Sequence, residues 1–450
     1  MGAFELRLEP RCDSATSSRP KTDDQKITIR SEIAPGHQRI PKQSYGGATG
    51  GLMTLATEEK HLDGLVQQLL KEHDPAGGRV EFLEAQFDVG LAWVHFDEGC
   101  GGLGVAPKLQ SRVNAQLADV GAPMCWPFNP IGYGMCGPTV YTHGSEAQKN
   151  RYLRPLFSAE EIWCQLFSEP SAGSDVAGLT SQAVRDGDEW VVNGQKVWTS
   201  LAHVSRWGCL VTRTDPEAPK HKGLSYFVVD MKQEGVDVRP LRQMTGEAEF
   251  NEVYFTDARI PDAERLGEIG DGWRVALTTL MNERVAIGGG QAPRGSGPIA
   301  ESVRLWGAIA EHRKDLATQD RLMRLWSKSE VTRLTNIRAS QNRGKGVPGP
   351  EGATGKLAFA ENNKDIREFN MELLGPQGML YDPNRTKDQT VDRTTNTHGS
   401  VQKHFLRSRA NSIEGGTSEV MRNILGERVL GLPGDVRTDK ELPFTEVPNN

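Results

Sequence analysis

Glu283 and Arg284 sit in the segment GDGWRVALTTLMNERVAIGGG, and their setting is the first sign of chemistry in the chain. Ala276, Leu280, Glu283 and Ile287 fall at i, i+4, i+7 and i+11, so the Glu283 carboxylate shares one otherwise apolar face of a helix. A carboxylate in that position has to be neutralised, paired or used as a base, because an isolated buried charge is costly. Most glutamates are instead solvated surface residues, so the remaining segments must decide. Gly270-Asp271-Gly272 before the segment and Gly288-Gly289-Gly290 after it bound a helix of ordinary length.

Three other stretches carry residue types suited to ligand binding. Leu166–Asp175 (LFSEPSAGSD) gathers small residues, hydroxyls and backbone N–H groups in one loop, which can approach a flat ring or a phosphate or can simply link two domains. About thirty residues later, Lys196–Ser200 (KVWTS) sets an indole plane beside two hydroxyls, either as a packed strand end or as a platform for a ring. Asn411–Asn423 holds a Gly-Gly-Thr turn at a helix start, with Thr417 as cap and free N–H groups that suit an oxyanion.

The elements that position these residues change character along the chain. Residues 1–50 are polar, rich in Gly and Pro, and read as an extension. Segments such as HLDGLVQQLLKEH make 51–162 a helical domain. Over 163–268, short runs rich in β-branched and aromatic residues, including VVNGQK with its Asn-Gly hairpin signal, predict antiparallel strands. Helical periodicity returns over 269–435, broken by RGKGVPGPEGATGK, and 436–450 reads as a polar tail.

At 450 residues two or three domains are expected, and 37% hydrophobic with 25% charged residues is the composition of a soluble protein. A net charge of -6 gives no general reason to bind nucleic acid or an anionic membrane. No stretch reaches the ~18 continuous apolar residues of a span, and no signal peptide is evident, so a cytoplasmic location is expected. Six cysteines without CxxC spacing point to reduced thiols rather than a metal site or a disulfide framework.

Taken together, LFSEPSAGSD, KVWTS, FTDARIP, EIGDGW and IEGGTSEVMRNILGERVLG resemble, in order and spacing, the acyl-CoA dehydrogenase family over roughly residues 55 to 435. The resemblance implies an α+β fold, with an N-terminal helical domain, a middle antiparallel β barrel and a C-terminal four-helix bundle. It implies FAD-dependent α,β-dehydrogenation of an acyl-CoA thioester to the trans-2-enoyl-CoA, an electron-transfer flavoprotein as electron acceptor and a homodimer or homotetramer. Many members carry the base directly before the Gly-Thr of the C-terminal motif, where this chain has Gly415. A second branch carries it on the first long helix of the C-terminal domain, and that position matches Glu283. The resemblance leaves Gly415 a backbone donor to the thioester oxygen and places Arg284 and Gly416 beside the substrate. It sets Gln165, Phe167 and Ser168 along the flavin, Trp198 and Ser200 near its reactive edge, Ser174 at both cofactor and CoA, and Thr417 and Glu419 at the adenosine half.

Two departures stand out. GQAPRGSGPIAESVRLWG replaces the family's Arg-x-x-Phe-Gly segment, and Glu372–Gly378 (ELLGPQG) has Glu and Pro where Gln and Gly are common. Both resemble a bacterial, especially actinobacterial, subgroup that handles diverse acyl-CoAs, branched and steroid-derived ones included. Some of its members form mixed tetramers in which one partner carries the base, so a non-catalytic partner subunit is an alternative, as is an oxidase or monooxygenase on the same fold.

Overall fold

The computed structural model describes residues 55–288, 293–343, 351–381, 400–436 and 438–447, and the expected extension over 1–50 lies outside the described residues. Five helices come first: α1 (Leu55–Glu72), α2 (Arg79–Asp88), α3 (Gln110–Asp119), α4 (Gly137–His143) and α5 (Glu146–Phe157). Helix α5 starts at a capping box, in which Ser145 Oγ accepts from Gln148 N at 3.3 Å and Gln148 Oε1 accepts from Ser145 N at 2.8 Å. The same Gln148 donates to Ala263 O at 2.9 Å and so ties the helical layer to the strands that follow.

Eight strands come next: β1 (Trp163–Leu166), β2 (Gln182–Asp186), β3 (Glu189–Ser200), β4 (Trp207–Arg213), β5 (Leu224–Asp230), β6 (Val236–Leu241), β7 (Phe250–Pro261) and β8 (Arg265–Leu266). The hydrogen-bonded order is β6-β7-β3-β2-β4-β5-β8, with β1 alongside β4. Two pairings differ from a wholly antiparallel sheet, since β1 and the end of β2 run parallel to β4. Strand β1 enters the sheet directly from α5, and the β2–β3 excursion supplies the long crossover that a parallel pair needs.

The Asn193-Gly194 hairpin signal is overturned. Strand β3 runs straight through it, and the turn falls six residues earlier at Gly187-Asp188, which join the paired residues Asp186 and Glu189. Asn193 is instead spent on a bulge facing β7, bonded in both directions with Asp257 at 2.9 Å. Gly194 adopts φ 147 there, and a Cβ on it would come within 2.2 Å of Ser181 Oγ.

Among the described residues six α-helices follow: α6 (Gly272–Gly288), α7 (Pro298–Ala308), α8 (Leu316–Arg343), α9 (Glu351–Leu374), α10 (Val401–Ser408) and α11 (Ser418–Ile424). Apolar residues of α7, α8 and α9, among them Ile299, Leu322, Leu325, Ile366 and Phe369, form a bundle core. A larger core spreads from Trp93 and Phe157 through Trp163 and Tyr226 to Val275 and Ala276, fusing the first helices, the sheet and α6. The chain's last described residues fold back on the sheet: Pro443 bridges Pro219, Phe444 N donates to Ala218 O at 3.1 Å, and the buried Arg213 lies 3.4 Å from the centre of the Phe444 ring. Among the described residues no helix is long and apolar enough to cross a membrane.

Candidate functional site

Strand β1 delivers Gln165 and then the loop Phe167-Ser168-Glu169 against the end of β3. Val197 N donates to Ser168 O at 2.9 Å, and Lys196 Nζ donates to Phe167 O at 3.2 Å and to Glu169 Oε1 at 2.8 Å. Glu169 and Lys196 are 4% and 0% exposed, so this is a buried ion pair. Glu169 also accepts from Ser181 N at 3.0 Å, Thr180 N at 2.7 Å and Thr180 Oγ1 at 2.9 Å. Burial works to raise the Glu169 carboxyl, but the Lys196 charge and these bonds outweigh it and bring it down to about 2. Burial draws the Lys196 ammonium below its ordinary range in spite of Glu169. The pair clamps the LFSEP loop and the KVWTS strand end into one rigid edge.

On that edge Phe167 is buried edge-to-face on Tyr226, and Gln165, Ser168 and Ser200 are half-buried. Trp198 has left-handed backbone, φ 59, at the irregularity between Lys196 and Thr199, which turns its indole outward to 58% exposure. Only a strong local constraint keeps a tryptophan in that conformation, and here it presents a flat apolar face braced edge-to-face on Phe250 at 6.1 Å. Ser174 is exposed on the loop beyond, where Lys220 pairs with Asp175.

Helix α6 is fixed by a chain of hydroxyls. Thr279 Oγ1 lies 2.9 Å from Thr139 Oγ1 on α4 and 3.0 Å from Tyr226 OH on β5, all three fully buried. One turn further on, Glu283 is half-buried on the face that also carries Leu280 and the buried Ala276. The side chains of Arg284 and Ile287 lie outside the described residues.

The third component is the turn after α10. Lys356 of α9, 3% exposed, donates to Asn411 O at 2.8 Å and to Gly416 O at 2.5 Å. Burial draws its ammonium below the usual range, and the carboxylates of Glu414 and then Glu283 oppose that shift. Lys356 is therefore bonded to the Gly415-Gly416 turn and within electrostatic reach of Glu283. Both glycines have left-handed backbone, φ 62 and 91, a conformation glycine adopts without strain. Glu414 is held bidentately by Arg407 at 3.0 and 2.8 Å and also accepts from Asn411 Nδ2 at 2.7 Å. Arg407 in turn lies 5.6 Å from the centre of the Phe250 ring and 3.4 Å from Glu249, which links the turn back to the Trp198 edge. Thr417 caps α11 by accepting from Val420 N at 3.1 Å, while Glu419 is exposed and faces Arg422.

Gln165, Phe167, Ser168, Trp198 and Ser200 thus share one clamped edge, and Lys356 holds the Gly415-Gly416 turn, with Glu283 in electrostatic reach and Thr417 next in the chain as the cap of α11. The sequence reading missed Lys356, Arg407 and Glu249. A signal for the first exists: Ala353, Lys356, Ala360 and Asn363 fall on one helical face, all buried, with a lysine among small residues. The donor set suits a flat heterocycle: an exposed indole plane, half-buried hydroxyls, a half-buried carboxamide and a glycine turn open to close backbone approach. Among the described residues no group of three His, Cys, Asp or Glu side chains could hold a metal ion.

Residues 53–160, 164–258 and 270–430 match the N-terminal, middle and C-terminal domains of acyl-CoA dehydrogenases. Two relatives from Mycobacterium tuberculosis are the acyl-CoA dehydrogenase IpdE1, 36% identical over 82% of this chain and 91% of its own length, and the acyl-CoA dehydrogenase FadE34, 38% identical over 77% of this chain. This chain spans only 45% of FadE34. Among solved structures, the ChsE4-ChsE5 complex of M. tuberculosis is similar with a TM-score of 0.61 and 27% identity, over 86% of this chain and all of that one.

Proposed function

This chain belongs to the acyl-CoA dehydrogenase family, flavin-dependent oxidoreductases that act on acyl-CoA, and from that premise we propose that it dehydrogenates an acyl-CoA thioester to the trans-2-enoyl-CoA with Glu283 as the base. The observation that supports Glu283 is its place on α6, half-buried on the face that carries Leu280 and the buried Ala276 and within electrostatic reach of Lys356, which holds the Gly415-Gly416 turn. Glu283 removes the α proton and the α C–H electron pair becomes the new C=C bond. The Gly415 N–H donates to the thioester oxygen, so charge that develops there meets a preorganised donor. Bound FAD supplies the acceptor for the hydride that leaves the β carbon.

We assign Gln165, Phe167, Ser168, Trp198 and Ser200 to the flavin, Thr417 and Glu419 to its adenosine half, Ser174 to cofactor and CoA together, and Arg284 and Gly416 to the substrate. An electron-transfer flavoprotein is the acceptor that reoxidises the enzyme, and five described cysteines, all buried and free, suit a reducing cytoplasm. The likeness to a complex of two named chains favours a mixed assembly over a homotetramer, with this chain contributing Glu283.

Anaerobic addition of acyl-CoAs, followed by flavin bleaching, tests the reading. Glu283→Gln is expected to keep its flavin and to lose about 10²- to 10⁴-fold in turnover, the range of general-base catalysis. An unchanged rate would remove Glu283 from the mechanism.

A further inference from the structure

Strand β4 ends at Arg213 and β5 begins at Leu224, and the loop between them carries the basic run Lys220-His221-Lys222. The loop closes tightly. Thr214 N donates to Gly223 O at 2.9 Å, and a Cβ on Gly223 would come within 2.0 Å of Asp215 O. Lys220 pairs with Asp175, next to Ser174, and His221 packs edge-to-face on Trp273 at the start of α6, with ring centres 4.8 Å apart. The β4–β5 loop therefore lies against the loop that bears Ser174.

Arg213 staples the two loops together. Its guanidinium, 2% exposed, donates to Ala177 O at 2.6 Å and Leu179 O at 3.3 Å just past Ser174, and to Lys220 O at 3.2 Å in the β4–β5 loop. All three acceptors are main-chain carbonyls. Burial draws the guanidinium down to about 10, and the charges of Glu169, Asp175 and Asp215 oppose that shift. A buried cation held by carbonyls depends on what covers it, because desolvation without compensation is costly. The cover is the half-buried Phe444, whose ring centre lies 3.4 Å from the guanidinium carbon, a contact that gains strength when water is excluded.

The chain on either side of Phe444 is laced to the same loop. Pro443 bridges Pro219, Phe444 N donates to Ala218 O at 3.1 Å and Thr445 N donates to Pro216 O at 3.2 Å. The match to the family's C-terminal domain ends at residue 430, so this strap belongs to the part of the chain that follows it. We propose that the strap Pro443–Thr445 sets the affinity for the nucleotide half of the CoA substrate, with Phe444 as a positioning residue that acts through Arg213 on the loops bearing Ser174 and Lys220. Two observations aim the effect at that half. Ser174 and Lys222 are exposed, whereas Gln165, Ser168 and Ser200 on the clamped edge are half-buried, so these loops flank the outer end of the site. A basic run there also suits phosphates. This rests on the acyl-CoA dehydrogenase reading, with Ser174 as a contact to CoA, and adds to it the segment that governs recognition of the nucleotide.

Octanoyl-CoA and octanoyl-pantetheine share the reacting carbons and the thioester and differ in the phosphorylated nucleotide, so together they test the proposal. In the flavin-loaded protein, with any partner chain it assembles with, Phe444→Ala is expected to raise KM for octanoyl-CoA about fivefold or more and to leave kcat unchanged, the pattern of lost uniform binding. For octanoyl-pantetheine kcat/KM stays within about twofold of the parent. Phe444→Tyr, which keeps the ring face, restores the octanoyl-CoA KM. An unchanged KM, a fall in kcat in its place, or an equal loss for both thioesters overturns the assignment of the strap, as does a tyrosine variant that behaves like the alanine one. A rate with octanoyl-pantetheine too slow to measure leaves the decision to the KM–kcat split for octanoyl-CoA and its rescue by tyrosine. Should Phe444→Ala not fold, Phe444→Leu, which fills the space without a π face, takes its place in the same comparison. If octanoyl-CoA does not reduce the flavin of the unaltered protein, the dehydrogenase reading fails and this inference falls with it.

Discussion

Glu169→Gln is expected to loosen the clamp between the two motif segments and to do so with a distinctive dependence on pH. The carboxylate takes four bonds, one of them from the fully buried Lys196. Removing one partner of a buried pair strands the other and costs about 3–5 kcal/mol. The carboxyl's own shift agrees in size: from 4.5 to about 2 it corresponds to about 3 kcal/mol. At about 2.1 cal/mol/K per residue, a cooperative unit of roughly 400 residues loses about 4–6 °C in melting temperature. Because the folded carboxyl titrates below its unfolded value, its contribution is complete above about pH 4.5 and is lost as pH falls toward about 2. The gap between the two proteins therefore closes on the acid side. Lys196 behaves in the opposite sense. Its folded form sheds its proton more readily than the unfolded chain does, and more so without Glu169, so the variant recovers stability as pH rises toward the ordinary lysine value of 10.5. Melting curves of the flavin-loaded protein between about pH 3 and about pH 10 measure both effects. A variant that melts within about 1 °C of the parent at every pH would refute the claim that this pair is what holds the edge together.

Two further outcomes follow from the turn around Lys356. Lys356→Met leaves Asn411 O and Gly416 O without their donor and takes a positive charge from the neighbourhood of Glu283. It should lower kcat by about tenfold or more and move the acid limb of the kcat/KM profile to higher pH, with Lys356→Arg restoring the limb; a limb that stays in place contradicts the electrostatic link. Glu414→Gln should keep turnover within about tenfold and lose about 1–3 kcal/mol of stability from the broken Arg407 pair. Loss of activity as deep as that of Glu283→Gln would move the base to Glu414.

Local patterns carried much of the architecture. Apolar spacing and flanking glycines marked the helix Gly272–Gly288, and the hydroxyl of Thr417 marked the start of α11. What escaped the sequence were features set by partners distant along the chain. The Asn-Gly pair at 193–194 has the composition of a turn, but the opposing strand supplies Asp257 to bond Asn193, and tertiary pairing overrode local preference. The meeting of Thr139, Tyr226 and Thr279 joins three regions that share no pattern. Arg407 and Glu414 are near in sequence, yet whether they face each other depends on how the chain turns between α10 and α11. The alternative base is therefore spent in a way that residue types alone could not disclose.

The docking of Phe444 over Arg213 sets a schedule on synthesis. Arg213 is buried, donates to Ala177 O at 2.6 Å and Leu179 O at 3.3 Å, and is covered by a residue that follows it by 231 positions. At the usual 5–20 residues per second, about 10 to 50 s pass between the emergence of the two. The sheet can form in that interval, but its guanidinium stays uncovered until Phe444 has been made. The middle of the protein is thus sealed by a segment made after the bundle, and a premature stop between the bundle and Phe444 would leave a folded-looking nascent chain with that seal missing.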